Sequence, residues 1–194
     1  MSTAAWDLRG VEVCGEKTIV VYSSHGQQIT WEGFGLKLHI HEGSLPAGTE
    51  QCTINIKASL AGQYEFPDNS HLVSAIFWLR CEPLIKFNRP VMVEIQHCST
   101  LKDTSRLYIV RAVCSQKQLP YTFTKIGGEF TSHSSYGVIE VNGFSGLAVN
   151  LDGTPEREYY SKLFYRSDYC RGHCIDLIIT WNTEAHINVS STCT

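Results

Sequence analysis

Charged side chains are scarce in this chain of 194 residues: they make up 18% of it, and they form no run of one sign. The 16 basic and 19 acidic residues give a net charge of −3. A nucleic-acid partner is not expected, because binding along a phosphate backbone needs clustered lysine and arginine. With 43% hydrophobic residues, the composition is typical of a packed globular protein and excludes a disordered or coiled-coil chain.

Long hydrophobic runs are missing as well. The longest apolar stretches, such as residues 73–79, fall far short of the roughly 20 residues that a membrane helix needs. Direct membrane insertion is therefore not expected. The first ten residues contain Asp7 and lack the basic and then apolar pattern of a secretory signal. We therefore expect a cytoplasmic protein, either free or in a membrane-associated complex.

The sequence also lacks any segment of helical length with a sustained 3.6-residue apolar repeat. Apolar and polar residues instead alternate at 36–41 and 52–57, as in half-buried antiparallel strands, and residues 42–49 form a turn-like segment between them. Many short strands between turn signals predict an all-β fold, an antiparallel β-sandwich with a short β extension. Further strands are predicted at residues 18–22, 72–79, 91–96, 107–113, 137–141, 146–149, 162–165, 175–181 and 186–189.

A shift in composition divides the chain. Residues 151–158 are polar and turn-forming, which is typical of a linker. Too few strands follow to be stable alone, so residues 159–194 are expected to be the beginning of a second domain or an appendage. The predicted order is an N-terminal segment at 1–26, a sandwich at 27–150, the linker, and this extension.

Eight cysteines are spread over the whole chain. Without a secretory signal, reduced thiols are favoured over a disulfide framework. Cys170, His173 and Cys174 lie within five residues and could supply part of a zinc site, but a structural site needs four ligands. The later candidates, His186 and Cys193, match no common zinc spacing. A hairpin turn with incidental cysteines is the favoured interpretation, metal binding by the three residues stays open, and no cofactor is expected.

Two blocks of the sequence resemble the ZU-five domain family, found in zonula occludens scaffolds, netrin receptors of the uncoordinated-five type, ankyrins and death-domain adaptors. Residues 35–49 are similar to the family's strand followed by a turn with proline and glycine, and residues 73–98 carry the second block. The resemblance covers about residues 27–149. The segment from residue 159 resembles the opening strands of the UPA domain that follows ZU-five in netrin receptors and adaptors.

The resemblance implies a β-sandwich used for docking. It indicates a non-enzymatic, intracellular protein–protein interaction module of a scaffold, an adaptor or netrin-receptor-like signalling. The expected partner is another protein or an intramolecular domain, whose identity the sequence does not give.

Some relatives with this arrangement cleave themselves between a phenylalanine and a serine, and a histidine usually stands just before this pair. The equivalent pair here is Phe144 and Ser145, with Gly143 at the position of the histidine. Ser145 would attack the carbonyl of Phe144 and form an ester, which needs a base, and His133 is the nearest histidine upstream. Period-two alternation offers another interpretation, with Phe144 a core aromatic and Ser145 its outward neighbour. Self-cleavage is kept as the alternative to the interaction module.

Two further sets of residues have structural interpretations. His39 and His41 share one face of a predicted strand, where solvent-facing histidines are favoured over a ligand site. The tryptophans are expected to be core or interface anchors, because aromatic side chains bury large areas. They are Trp6, Trp31, Trp78 and Trp181.

Overall fold

The structure is a computed structural model that describes residue 6, residues 8–99, 103–114 and 118–153, and the backbone strands at 163–170, 173–181 and 187–193. Within these residues the regular structure is β-strand, with single 3₁₀ turns at Glu32–Phe34 and Thr104–Arg106. No helix in the described part is long and apolar enough to cross a membrane. The all-β fold class is confirmed.

The strands in chain order are β1 (Val11–Tyr22), β2 (Gln27–Trp31), β3 (Leu36–Ile40), β4 (Gln51–Gly62), β5 (Tyr64–Glu65), β6 (Ser70–Leu72), β7 (Ile76–Glu82), β8 (Val91–Gln96), β9 (Leu107–Ala112), β10 (Tyr121–Thr122), β11 (Thr124–Gly127), β12 (Glu129–Phe130), β13 (Tyr136–Val141), β14 (Gly146–Asp152), β15 (Leu163–Cys170), β16 (His173–Trp181) and β17 (Ile187–Cys193). Seven of them form an antiparallel sheet in the order β1-β4-β7-β14-β9-β11, with β6 beside β14. Five form a second antiparallel sheet in the order β12-β13-β8-β3-β2. The described strands also include a parallel pair, β5 and β10, and a meander, β15-β16-β17.

The main core lies between the two large sheets. In β3 the burial alternates residue by residue, with Leu36, Leu38 and Ile40 buried and the residues between them half-buried. Buried side chains of β8 from the same sheet, and of β4, β7 and β14 from the other, complete one continuous cluster. This alternation follows from the period of two along a strand that has one covered face.

A second core covers the other face of the larger sheet. Trp78 on β7 lies there with Tyr121 and Phe123 from the segment around β10. The indole Nε1 of Trp78 donates to Oγ of Ser59 at 3.1 Å, and that oxygen lies 2.8 Å from the hydroxyl of Tyr64. Because both faces of β7 are covered in its first half, residues 76–79 are all apolar and buried, and alternation appears only from Arg80 onward. Trp78 is thus a core anchor, as predicted.

Two predicted strands that follow one another in the sequence lie in different sheets. The predicted strands at 36–41 and 52–57 exist as β3 and β4, but they do not pair with each other. The smaller sheet contains β3 and the larger one β4, so residues 41–50 cross between the sheets. Alternation shows that a strand has one buried face, but it does not identify the neighbouring strand.

The bounds of the sandwich also differ from the sequence prediction. Strand β1 begins at Val11 and pairs with β4 along its length, so the larger sheet includes residues that we assigned to an N-terminal segment. At the other end β14 continues to Asp152, inside the predicted linker. The predicted strand at 72–79 divides into β6 and β7, which are separated by residues 73–75.

The C-terminal strands β15, β16 and β17 pair antiparallel in chain order. They lie where strands were predicted at 162–165, 175–181 and 186–189, and each of the three extends beyond the prediction at one end. The similarity of this segment to a UPA domain stays a prediction.

Candidate functional site

The connection from β13 to β14, residues 142–145, carries the chain from the smaller sheet to the larger one. It is fixed at both ends by the backbone. The amide of Phe87 donates to the carbonyl of Asn142 at 2.8 Å, and the amide of Leu79 donates to the carbonyl of Ser145 at 3.1 Å. The ring of Phe144 packs edge-on against Phe87, with centroids 5.0 Å apart. The pair considered for self-cleavage therefore lies on an anchored segment next to the main core.

Ser145 is buried, with 2% of its surface exposed, so it is not the outward neighbour that period-two alternation predicted. Its hydroxyl accepts a hydrogen bond from Nε of Arg111 at 2.8 Å. Arg111 lies on β9, which pairs with β14 next to this connection. The serine and the arginine, 34 residues apart in sequence, meet because these two strands are neighbours.

His133 does not lie near this pair. It is exposed on the connection between β12 and β13, at the opposite end of β13 from Ser145. The six residues of β13 span about 20 Å when extended. Among the described side chains, the one that hydrogen-bonds Ser145 is Arg111, and a guanidinium donates protons and does not accept them. Phe144, Ser145 and His133 thus form no nucleophile–base pair in this conformation.

A pocket of about 360 Å³ opens beside the connection. Leu84 and Val113, which line it, are 79% and 59% exposed, the highest fractions for large hydrophobic side chains in the described residues. Phe144 and Ile85 contribute to the same wall. Exposed apolar surface gathered at one place is typical of an interaction site.

The charged side chains on the lining of this pocket are two arginines, Arg80 and Arg111. Nε of Arg80 lies 3.7 Å from Oε1 of Glu82, which is an ion-pair distance and too long for a hydrogen bond. That Nε is buried and has no hydrogen-bond partner among the described residues. The apolar pocket therefore has a positively charged rim.

A second hollow of about 460 Å³ continues from the first and shares Ile85, Arg111 and Gly143 with it. Its other lining residues are Lys86, Ile126, Ile139, Glu140, Val141 and Asn142. We call the two hollows together the Arg111 groove, since this arginine lies on the lining of both. Two adjoining hollows can take successive residues of one extended polypeptide segment.

The two histidines predicted to share a face of β3 have different surroundings, and His39 is half-buried rather than solvent-facing. Nε2 of His39 lies 2.6 Å from Oε1 of Glu94 on β8, and Nζ of Lys37 lies 3.0 Å from its other oxygen. The same ammonium lies 3.9 Å above the ring of Tyr136. Partial burial alone would raise the pKa of Glu94, but hydrogen bonds from Lys37 and His39 hold it below its usual value. His41 lies one residue past β3 and is exposed.

The possible metal ligands fall on the C-terminal meander. Cys170 ends β15 opposite His173, the first residue of β16, and Cys174 follows. Their side chains lie outside the described residues, so metal binding there stays open. Elsewhere, in the part of the chain whose side chains are described, no group of three or more His, Cys, Asp or Glu residues could hold a metal ion. The five cysteines described there are not in disulfide bonds: Cys14, Cys52, Cys81, Cys98 and Cys114.

Sequence reasoning missed the residues that define the groove. Leu84 follows Pro83 in a connection between strands, and an apolar residue beside a proline outside a strand was a usable signal. Val113 was placed at the end of a strand, whereas β9 ends one residue earlier. No local signal could have joined Arg111 to Ser145, because their contact depends on the pairing of β9 with β14.

Comparison with known families agrees with the sandwich. The model of the ZU5 domain matches residues 18–113, so this segment is similar to the domains of the ZU-five family, which are protein–protein interaction modules. The matched segment reaches from within β1 to the end of β9 and includes Leu84, Arg111 and Val113 of the groove. Phe144 and Ser145 lie beyond it. No curated protein matches the chain.

Proposed function

We propose that the chain is a non-enzymatic protein-interaction module that docks a segment of a partner in the Arg111 groove. The observation that carries the proposal is the exposure of Leu84 and Val113 over one pocket. Leaving two large apolar side chains in water is unfavourable by roughly 25 cal/mol per Å² of surface, and a partner that covers them removes this penalty. Similarity to ZU5 domains supports the same class of function.

Within this class we propose a scaffold, adaptor or netrin-receptor-like signalling role in the cytoplasm, which depends on the ZU-five resemblance. A UPA-like identity for the C-terminal strands belongs to the same proposal. The partner is then a second protein or a neighbouring domain of a longer chain.

The docking site is tested by replacing its exposed apolar residues with charged ones. Leu84→Asp and Val113→Asp should each reduce the binding of partners recovered by quantitative affinity capture, because a carboxylate replaces an exposed apolar contact. Val20→Asp is the matched control, since Val20 is also exposed but lies on β1, away from the groove. If the recovered set is the same for all three variants and the unaltered chain, the groove is not the docking site.

Self-cleavage at Phe144–Ser145 is the alternative proposal. In it, Ser145 Oγ attacks the carbonyl carbon of Phe144, the peptide C–N bond breaks, and the amine of Ser145 is released as an ester forms. Water then hydrolyses the ester to a carboxylate on Phe144. The pair itself supports this reaction, but a base must still take the hydroxyl proton, and the neighbour of Ser145 is the donor Arg111.

The intact mass of the denatured chain separates the two proposals. An interaction module should give one species of 21.8 kDa. Two fragments that meet between residues 144 and 145 would contradict the passive module and require a search for the base.

A further inference from the structure

We infer that the Arg111 groove takes a partner segment in which an aspartate or glutamate stands beside a bulky apolar residue, with Arg111 binding the carboxylate. The inference depends on the proposed function, because it specifies the chemistry of the docked partner. It comes from the hydrogen bonds of the arginine, the sign of charge on the rim and the shape of the hollow.

The guanidinium of Arg111 is held through its Nε, and its terminal nitrogens are available to a ligand. Its Nε donates to the buried hydroxyl of Ser145, so one side of the planar guanidinium is fixed by the protein. No other described residue accepts a hydrogen bond from this side chain, which leaves its terminal Nη donors for a ligand. A guanidinium offers donors in a rigid fork that matches a carboxylate, and such charge-assisted bonds are about twice as strong as neutral ones.

The rest of the rim favours an anion. Arg80 lies on the same pocket lining, and its buried Nε has no acceptor in the described residues. Of the residues that line the 360 Å³ pocket, none is acidic. Arg80 is partly offset by Glu82 at 3.7 Å, and Lys86 and Glu140 on the adjoining hollow carry one charge of each sign. Arg111 forms no ion pair with the described residues, so its charge in a partly enclosed apolar hollow attracts a negative group more strongly than it would in open solvent.

The apolar part of the groove requires a bulky side chain beside the carboxylate. Leu84, Val113 and Phe144 line the pocket next to Arg111, and its volume is sufficient for a large aliphatic or aromatic group. The adjoining hollow beyond Arg111 lets the chain of a ligand continue past the pocket. An extended peptide meets all of these conditions together.

Ser145 acts in this arrangement as a positioning residue for Arg111. Its hydroxyl is buried and accepts from Nε, so removal of the oxygen frees the guanidinium to take other rotamers. Ser145→Ala should weaken the binding of acidic peptides severalfold and have little effect on a peptide whose carboxylate is replaced by an amide.

The test selects a phage-displayed random peptide library on the full 194-residue chain. The selected peptides are then synthesised with each Asp or Glu and, separately, with the matching Asn or Gln, and binding is measured by fluorescence anisotropy. We expect an acidic residue next to Leu, Ile, Phe or Trp, and a loss of about tenfold for the amide peptide. Arg111→Leu should lose the same factor and bind the two peptides equally, whereas Arg111→Lys should retain part of the preference.

Arg9→Leu is the matched control, because Arg9 is exposed and lies outside both hollows. It should bind like the unaltered chain, and thermal melts verify that every variant is folded. One contrary result is a set of selected peptides that lack an acidic residue and still bind more weakly to Val113→Asp than to the unaltered chain. This result would overturn the acidic preference and leave the docking module intact. Peptides unaffected by both Val113→Asp and Arg111→Leu would overturn the assignment of the groove. Enrichment of no peptide would overturn the inference and count against the module as well.

Discussion

Two glycines near the connection from β13 to β14 differ in what surrounds them. A Cβ on Gly146 would lie 2.6 Å from the ring of Trp78, which is fully buried, whereas a Cβ on Gly143 would meet nothing within 4 Å. Gly146→Ala should therefore lower the free energy of unfolding by about 1–3 kcal/mol through overpacking. Gly143→Ala should change it by less than about 0.5 kcal/mol. Urea unfolding of both variants measures the difference. Equal free energies of unfolding would show that the Trp78 ring shifts to accommodate the added methyl group.

The buried side chain of His97 makes the free energy of unfolding depend on pH. Its ring is 4% exposed, and burial lowers the pKa of His97 to about 4 from the usual 6.5. Between these two values the unfolded chain binds a proton that the folded chain does not, so folding is favoured above pH 6.5. This stability is lost as the pH falls toward 4, by up to about 3 kcal/mol.

Substitution of the histidine isolates this contribution. His97→Leu should flatten the dependence of the unfolding free energy on pH between 6.5 and 4, as measured by urea titrations at a series of pH values. His133→Ala serves as the control, since His133 is exposed. The pairing of Glu94 acts in the same direction at low pH but is common to all three proteins. The same slope in His97→Leu as in the unaltered chain would contradict the assignment.

At the scale of elements, the sequence predicted strands where a single face is buried. Strand β3 alternates and was located to within a residue, because each inward side chain has a polar neighbour. Strand β7 begins with four apolar residues buried on both faces, and this run predicted neither where the strand begins nor its continuation to Glu82. Short strands such as β5 and β10 were missed because two residues have no period.

The contact between β3 and β8 includes an ion pair that can be tested. Glu94 joins Lys37 and His39 across the two strands, and all three side chains are less than a third exposed. Glu94→Gln should destabilise the chain by about 1 kcal/mol at pH 7, because it removes the carboxylate partner of Lys37 and His39. The difference should shrink as the pH falls through the lowered pKa of Glu94, where the carboxylate becomes protonated.

Glu129→Gln is the control for this substitution, since Glu129 is exposed on β12 and forms no ion pair with the described residues. Thermal melts at several pH values measure both variants. A loss that is equal for the two glutamates, or that does not change with pH, would show that the cross-strand pair adds nothing specific.

At the scale of the whole molecule, the candidate site depends on how the two sheets meet. The sequence indicated Phe144 and Ser145 through a family resemblance, and they do lie at the groove. Its chemistry comes from Arg111, which reaches them only because β9 and β14 are neighbours in the larger sheet. Pairing between distant strands is a property of the folded chain, and a local pattern does not contain it.

The cysteines report on opening of the whole sandwich. Burial raises the pKa of Cys14 and of Cys114 to about 11 and that of Cys98 to about 12, so almost no thiolate is present at pH 7.5. All three should react slowly with iodoacetamide in the native chain and rapidly in urea. Digestion and mass spectrometry measure the labelling of each cysteine separately.

The deeply buried Cys98 provides the sharper comparison. It is 3% exposed, and Cys14 and Cys114 are partly exposed, so its labelling requires a larger opening of the fold. We expect its native labelling rate to rise as the free energy of unfolding decreases across the variants above, so that it is faster in Gly146→Ala than in Gly143→Ala. Rapid labelling of Cys98 in the native chain would mean that the space between the sheets is open to solvent, and the continuous core described above would then be wrong.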